Sequence, residues 1–149
     1  MSTRSPGPPV VLVPTRTRRS PRRYALLLLR LVVGVIFVLH GLSKFGLIGG
    51  EGFGGAISVI AEVDLPAPHI TAPILAVVET LGGLALIVGL FTRPVAAVLA
   101  VVVAAEIALI KLPQSLNPFA QGGYLFELTL LAGLVALAWL GAGALSLEE

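Results

Sequence analysis

The chain contains 149 residues, of which 56% are hydrophobic and only 12% are charged. Soluble domains carry about 25% charged residues, so this composition excludes an ordinary soluble domain and indicates a single integral membrane domain. Because cysteine is absent and histidine occurs only twice, disulfides and thiolate metal sites are excluded, and haem with two axial histidines is not expected.

The first 23 residues form a basic tail with six arginines, several prolines and no acidic residue. Few large apolar groups are present to build a core, so residues 1–23 are predicted to be disordered. Such a tail holds the amino terminus in the cytoplasm and contacts anionic lipid headgroups. Because the basic residues crowd beside a membrane span, a nucleic-acid partner is not expected despite the net charge of +2.

Four apolar runs follow the tail, and each has about the 20 residues that a helix needs to cross the hydrocarbon core. The first two runs are separated by a flexible, glycine-rich loop, in which residues 56–63 are predicted to form a short interfacial helix. The predicted spans are residues 24–47, 68–91, 94–112 and 124–140.

The charge distribution predicts the orientation of these spans. Arg93 lies in the turn between the second and third spans, whereas the opposite loops carry Glu51, Glu62 and Asp64. Arginine and lysine favour the cytoplasmic side, and an even number of spans puts both termini on the same side. We therefore expect an all-α, multi-pass plasma-membrane protein: a four-helix transmembrane bundle over residues 24–147 with both termini cytoplasmic.

Every predicted span carries an ionisable residue in its outer half, counting 1.5 Å of rise per residue. Ionisable groups inside a membrane are costly and usually mark partners on other helices or a function. Glu79 and His40 are the stronger candidates, because they have no short route to water. Lys44, Lys111 and Glu127 are weaker candidates, because they lie near enough to the interface to reach water. The candidate intramembrane polar site consists of His40, Lys44, Glu79, Glu106 and Glu127.

Two interpretations of this set stay open. The charges could form a site that holds a quinol headgroup, relays protons or binds a polar substrate, or they could be salt bridges that only join the helices. A metal held by His40 and the carboxylates is chemically feasible, but nothing in the spacing requires one, and no metal is predicted. Arg30 and Arg93 are interpreted as interfacial anchors, with an interhelical role left open for Arg30, while Gly34 and Gly41 predict close helix packing.

Three motifs stand out along the chain. They are Arg30-Leu-x-x-Gly34-x-Ile-Phe37-x-x-His40-Gly41-x-x-Lys44-Phe45, then Glu79-x-x-Gly82-Gly83 with Gly89-Leu-x-Thr92-Arg93, and Gly141-x-Gly143-x-Leu145-Ser146-Leu147. Together they resemble the DoxX family of small bacterial membrane proteins, and the match runs from about Arg30 to Leu147. Glu127 matches an acidic position of the family, Glu106 matches less securely, and Glu148 stands where an aspartate is common.

The resemblance implies a four-helix membrane bundle and an association with respiratory or redox chemistry, since the family is named after a quinol oxidase subunit. The first hypothesis is therefore a redox-associated subunit of the bacterial inner membrane, with quinone or quinol as the candidate cofactor and Glu79 or His40 handling protons. The alternatives are a non-catalytic scaffold for another membrane or redox protein, and a small transporter or proton path, which would need a homo-oligomer. Whether the protein is an enzyme is left open.

Overall fold

The computed structural model describes residues 21–50, 52–119 and 123–147, and all regular structure in these ranges is helical. The predicted tail lies mostly outside these ranges, but the first helix begins at Pro21, inside the segment predicted as disordered. Proline is favoured in the first turn of a helix, where its missing N–H is not needed. The helices are α1 (Pro21–Lys44), α2 (Gly52–Glu62), α3 (Pro68–Val88), α4 (Thr92–Gln114) and α5 (Leu125–Leu140).

Helices α1, α3, α4 and α5 pack in a ring, in which each helix contacts the next and α5 returns to α1. They alternate in direction, so the start of α1 meets the segment after α5, and the Ala144 N–H donates to the Arg23 carbonyl at 3.0 Å. The opposite end of the ring holds the end of α1, the short helix α2 and the start of α5. The core between the four helices is made mainly of leucine, valine and alanine.

The predicted close approach along the glycines of α1 is confirmed. A β-carbon placed on Gly34 would lie 2.8 Å from the Gly83 carbonyl oxygen on α3, and one on Gly41 would collide with the Thr80 hydroxyl. Small residues let two helix backbones approach closely, which is how membrane helices gain packing energy without a hydrophobic effect between them. Among the described helices, α1 and α3 have the most extensive contact with each other.

The predicted second span ends three residues too late. Helix α3 ends at Val88 because Gly89 adopts a left-handed conformation with φ 72°. The Gly89 N–H then donates to Leu86, and the Leu90 N–H donates to the Ala85 carbonyl at 2.9 Å, which is the hydrogen-bond pattern of a Schellman motif. This compact turn brings α4 back along α3.

Three of the described helices are long and apolar enough to cross a membrane: α1, α3 and α4. Helix α5 is apolar but has 16 residues, which at 1.5 Å per residue is about 24 Å, against about 30 Å for the hydrocarbon core. The structure therefore supports an all-helical membrane protein with three such spans. The fourth span and the cytoplasmic location of both termini stay predictions.

Helix α2 begins earlier than the sequence predicted. Gly52, Gly54 and Gly55 were expected in a flexible loop, but the structure places all three in the first turns of α2. The helix packs mainly on α3, and the Phe53 ring meets the Phe45 ring edge-on at a centroid distance of 5.0 Å. The predicted short helix is therefore present and longer at its start, while its interfacial position stays a prediction.

The interpretation of Arg30 as an interfacial anchor is wrong. Its side chain is buried and donates hydrogen bonds to the carbonyls of Ala142 and Leu145, both at 2.9 Å. A planar guanidinium can satisfy two diverging carbonyls where a lysine cannot. Arg30 thus fastens the segment after α5 to α1, which is the interhelical role left open. Arg93 is exposed and lies beside Gly141.

Candidate intramembrane polar site

Lys44, in the last turn of α1, is the centre of the site. Its ammonium group lies 2.5 Å from Glu79 Oε1 on α3 and 3.3 Å from Glu106 Oε1 on α4. The Glu79 side chain is fully buried, whereas those of Lys44 and Glu106 keep 17% and 20% of their exposure. One cation thereby connects three helices, in an apolar setting where separated charges would be costly.

A second ion pair closes the same end of the ring. Lys111 on α4 lies 3.0 Å from Glu127 Oε1 in the first turn of α5. Lys111 is the last residue of a π-helical segment, Ile107–Lys111, which follows directly after Glu106. Single π-helical turns carry an extra residue and rotate the helix faces, and they are frequent at functional sites. Here the segment lets α4 direct both charged side chains toward the site.

A cavity of about 610 Å³ lies against these ion pairs. Drug-sized ligands occupy pockets of about 300–1,000 Å³ that are mainly apolar with a few polar groups. Helix α2 covers one side of the cavity through small residues and Ile60, and α3 and α4 supply most of the remaining apolar wall. The ionisable residues that line it are His40, Lys44, Glu106, Lys111 and Glu127.

The structure brings the predicted residues together but ranks them differently. His40, one of the two stronger candidates from the sequence, has an exposed side chain and lines the cavity. Lys44 was a weaker candidate because it could extend to the interface, yet it is the group that joins the two carboxylates. Glu79 is buried as expected, but it lies behind the cavity wall and does not line it.

The donor set around Lys44 has the composition of a metal site. One donor atom each from His40, Glu79 and Glu106 lies within 4.8 Å of the others, and imidazole with carboxylate suits several divalent metals. The Lys44 ammonium already supplies a cation to both carboxylates. We therefore interpret the cluster as an ion-paired polar site and assign no metal to it.

Sequence reasoning missed the small residues that shape the cavity. Gly55, Ala56, Ala72 and Ala105 line it, and their short side chains leave the space that larger residues would fill. The only sequence signal was the concentration of glycine and alanine in segments facing the charged residues, which is common throughout this chain. The cavity could therefore be recognised only from the arrangement of the helices in the structure.

A family model described as DoxX matches residues 25–112, more than half of the chain. The chain belongs to the DoxX family. The matched region runs from α1 through most of α4, so it contains the whole ion cluster of Lys44, Glu79 and Glu106, together with His40. Glu127 of this DoxX protein lies beyond the matched region.

Relatives extend the similarity over most of the DoxX chain. "Putative oxidoreductase CatD" of Bacillus subtilis is 35% identical over 122 residues, which cover 82% of this chain and 83% of that protein. A Mycobacterium tuberculosis protein named only as a membrane protein is 31% identical over 138 residues, or 84% of this chain and 80% of its own. "Inner membrane protein YphA" of Escherichia coli is 33% identical over 75 residues, half of each chain. No solved structure matches this DoxX chain significantly.

Proposed function

We propose that this DoxX protein binds a quinone or quinol in the cavity beside Lys44 and serves as a redox-associated subunit of the bacterial inner membrane. The observation that carries the proposal is the combination of an apolar chamber of about 610 Å³ with one ionisable wall inside a membrane protein. The name of the Bacillus subtilis relative, an oxidoreductase, agrees with it.

The chemistry of the wall suits a quinone headgroup. A quinone ring is apolar and carries two carbonyl oxygens that accept hydrogen bonds. It therefore suits an apolar cavity with hydrogen-bond donors on one side. Lys44 supplies an ammonium, and His40 supplies a ring nitrogen that donates in one tautomer and accepts in the other. Reduction of a quinone to a quinol takes up two electrons and two protons. The redox partner of the proposed subunit would supply the electrons, and ionisable groups at the wall can exchange protons with the quinone oxygens.

We propose four spans with both termini in the cytoplasm for the membrane arrangement. The start of α1, the turn before α4 and the segment after α5 lie together at one end of the ring. That end carries Arg22, Arg23 and Arg93, which favours the cytoplasmic side. Helix α5, at about 24 Å, crosses if flanking residues reach toward the headgroups or the bilayer thins locally. The cavity then faces the outer half of the bilayer.

Binding of a short-chain quinone analogue to the purified full-length protein in lipid nanodiscs tests the function. Ala105 lines the cavity, so Ala105→Phe fills it and is expected to weaken binding at least tenfold. Ala104 is also exposed but does not line the cavity, so Ala104→Phe is the matched control and keeps the wild-type affinity. Absence of saturable binding to the wild type, or equal losses in both variants, would contradict the proposal.

A second candidate function is a non-catalytic membrane scaffold, and the ion pairs favour it. Lys44 joins α1, α3 and α4, and the Lys111–Glu127 pair joins α4 to α5, which is the pattern of polar groups that hold helices together. Under this candidate, neutral replacement of both members of a pair keeps the cellular function whenever the protein still folds. Co-purification in mild detergent would identify the membrane or redox partner, or a second copy of the chain.

A further inference from the structure

The charges around Lys44 do not balance. Two carboxylates, Glu79 and Glu106, contact a single ammonium group, so the three groups carry a net charge of −1 when all are ionised. The neighbouring Lys111–Glu127 pair sums to zero and supplies no compensation. Because an uncompensated charge inside a membrane is costly, we expect one more positive charge at the cluster.

The Glu79 carboxyl group shows where this charge is needed. Its side chain is fully buried, and Oε2 has no hydrogen-bond partner among the described residues, although Oε1 receives the Lys44 ammonium. A buried, ionised carboxylate normally has both oxygens satisfied, since a bare one loses its hydration without replacement. A Glu106 carboxylate oxygen lies within 4.8 Å of a Glu79 carboxylate oxygen, and repulsion between two like charges this close favours the protonated form of one of them.

We infer that Glu79 and Glu106 together hold one exchangeable proton, with Lys44 as their common counter-ion and Glu106 as the residue that passes the proton to the cavity. Glu106 lines the cavity, whereas Glu79 lies behind it, so the two carboxyl groups have different access to a bound molecule. Glu79 is then an inner store and Glu106 the group in contact with the ligand. His40, Lys111 and Glu127 also face the cavity and set the local charge.

This inference rests on the proposed function in one respect only, which is the identity of the ligand that receives the proton. The proton itself belongs to the ligand-free protein and is measured there by infrared spectroscopy, in the carbonyl-stretching region of protonated carboxyl groups. We expect one such band in wild-type protein near neutral pH, sensitive to deuterium exchange. Glu79→Gln and Glu106→Gln each remove it, because either change leaves a single carboxylate paired with Lys44.

Glu62→Gln is the control, since Glu62 is exposed at the end of α2 and does not line the cavity, and the band persists in this variant. Lys44→Met should enlarge the band, because two carboxyl groups without their ammonium take up a second proton. If a variant fails to fold, deuterium sensitivity and the pH titration of the wild-type band still decide the matter.

Absence of the band at neutral pH, its persistence in both glutamine variants, or a protonated His40 imidazole in nitrogen-15 spectra in its place would overturn the inference. A band without any quinone binding would keep the proton site and reject the proposed function. Quinone binding without the band would support the proposed function and reject the proton site.

Discussion

Gly34 on α1 and Gly83 on α3 face each other so closely that a β-carbon on either would lie within 2.8 Å of the other's carbonyl oxygen. Their backbones are therefore in direct contact, at a level of the ring between the Arg30 fastening and the Lys44 cluster. The contact fixes the separation of the two helices that carry Lys44 and Glu79.

Replacing either glycine should separate the helices. We expect Gly83→Leu to lower the free energy of unfolding by about 1–3 kcal/mol, the usual cost of overpacking, because the new side chain meets backbone that cannot move aside. Gly54→Ala is the control, since a β-carbon there meets nothing within 4 Å. Denaturant unfolding in mild detergent measures the difference, and equal stability of the two variants would argue against the contact.

Replacing Lys44 alone should destabilise the protein more than replacing Lys44 and Glu79 together. Lys44→Met leaves Glu79 buried and unpaired, for which we expect a loss of about 3 kcal/mol. Lys44→Met combined with Glu79→Leu removes the buried carboxyl group that has lost its partner and should recover most of that loss.

The second ion pair provides the comparison. Lys111 and Glu127 keep 26% and 16% of their exposure, so Lys111→Met should cost only about 1 kcal/mol. Equilibrium unfolding of all four proteins gives the energies. A double variant no more stable than Lys44→Met would show that the pair is not the source of the loss.

Arg30 should control the segment after α5. Arg30→Met removes the donors to Ala142 and Leu145, and each charge-assisted hydrogen bond is worth about 1.5–3 kcal/mol. Amide hydrogen exchange over residues 141–147 should therefore become at least tenfold faster. Arg30→Lys should restore little of the protection, because a single ammonium cannot reach two diverging carbonyls.

Arg22→Met is the control for the loss of a positive charge near the same end, because Arg22 is exposed. This variant should keep wild-type exchange over the segment. If it accelerates exchange as much as Arg30→Met does, a general charge effect is responsible and the two hydrogen bonds are not.

The number of membrane spans can be tested by labelling introduced cysteines. Because the chain contains no cysteine of its own, labelling reports only the introduced residue. Glu62→Cys should react with a membrane-impermeant thiol reagent from outside the cell, and Leu147→Cys should react only after the membrane is opened. The expected difference follows from the two ends of the ring on which these exposed residues lie. Labelling of both positions from outside would reject a membrane-crossing α5.

Much of the fold was predictable because membrane helices need long apolar runs and turns need glycine or proline. The three runs over α1, α3 and α4 were found on that basis, and their ends differ from prediction where local geometry decides, as at Gly89. The π-helical segment at Ile107–Lys111 has no such signal, since its apolar residues fit an α-helix equally well.

Most of the charged residues at the site could be predicted, but their roles could not. Charged residues in apolar runs stand out, and the structure places the five candidates at one end of the ring, together with Lys111, which the predicted set left out. Depth along an ideal helix, however, does not give side-chain reach, which is why the central position of Lys44 was underestimated. The interhelical role of Arg30 was left open and not predicted for another reason: its partners are backbone carbonyls, which carry no sequence signature.

Helix α1 is held at two points, by Arg30 in its first half and by Lys44 at its end. Two fixed points leave α1 little freedom to move relative to the other helices, so α1 is the rigid element of the bundle. A ligand entering the proposed cavity would therefore meet its least firmly packed wall at α2, which buries only Ile60 and lies between Gly50 and Asp64, both at positive φ.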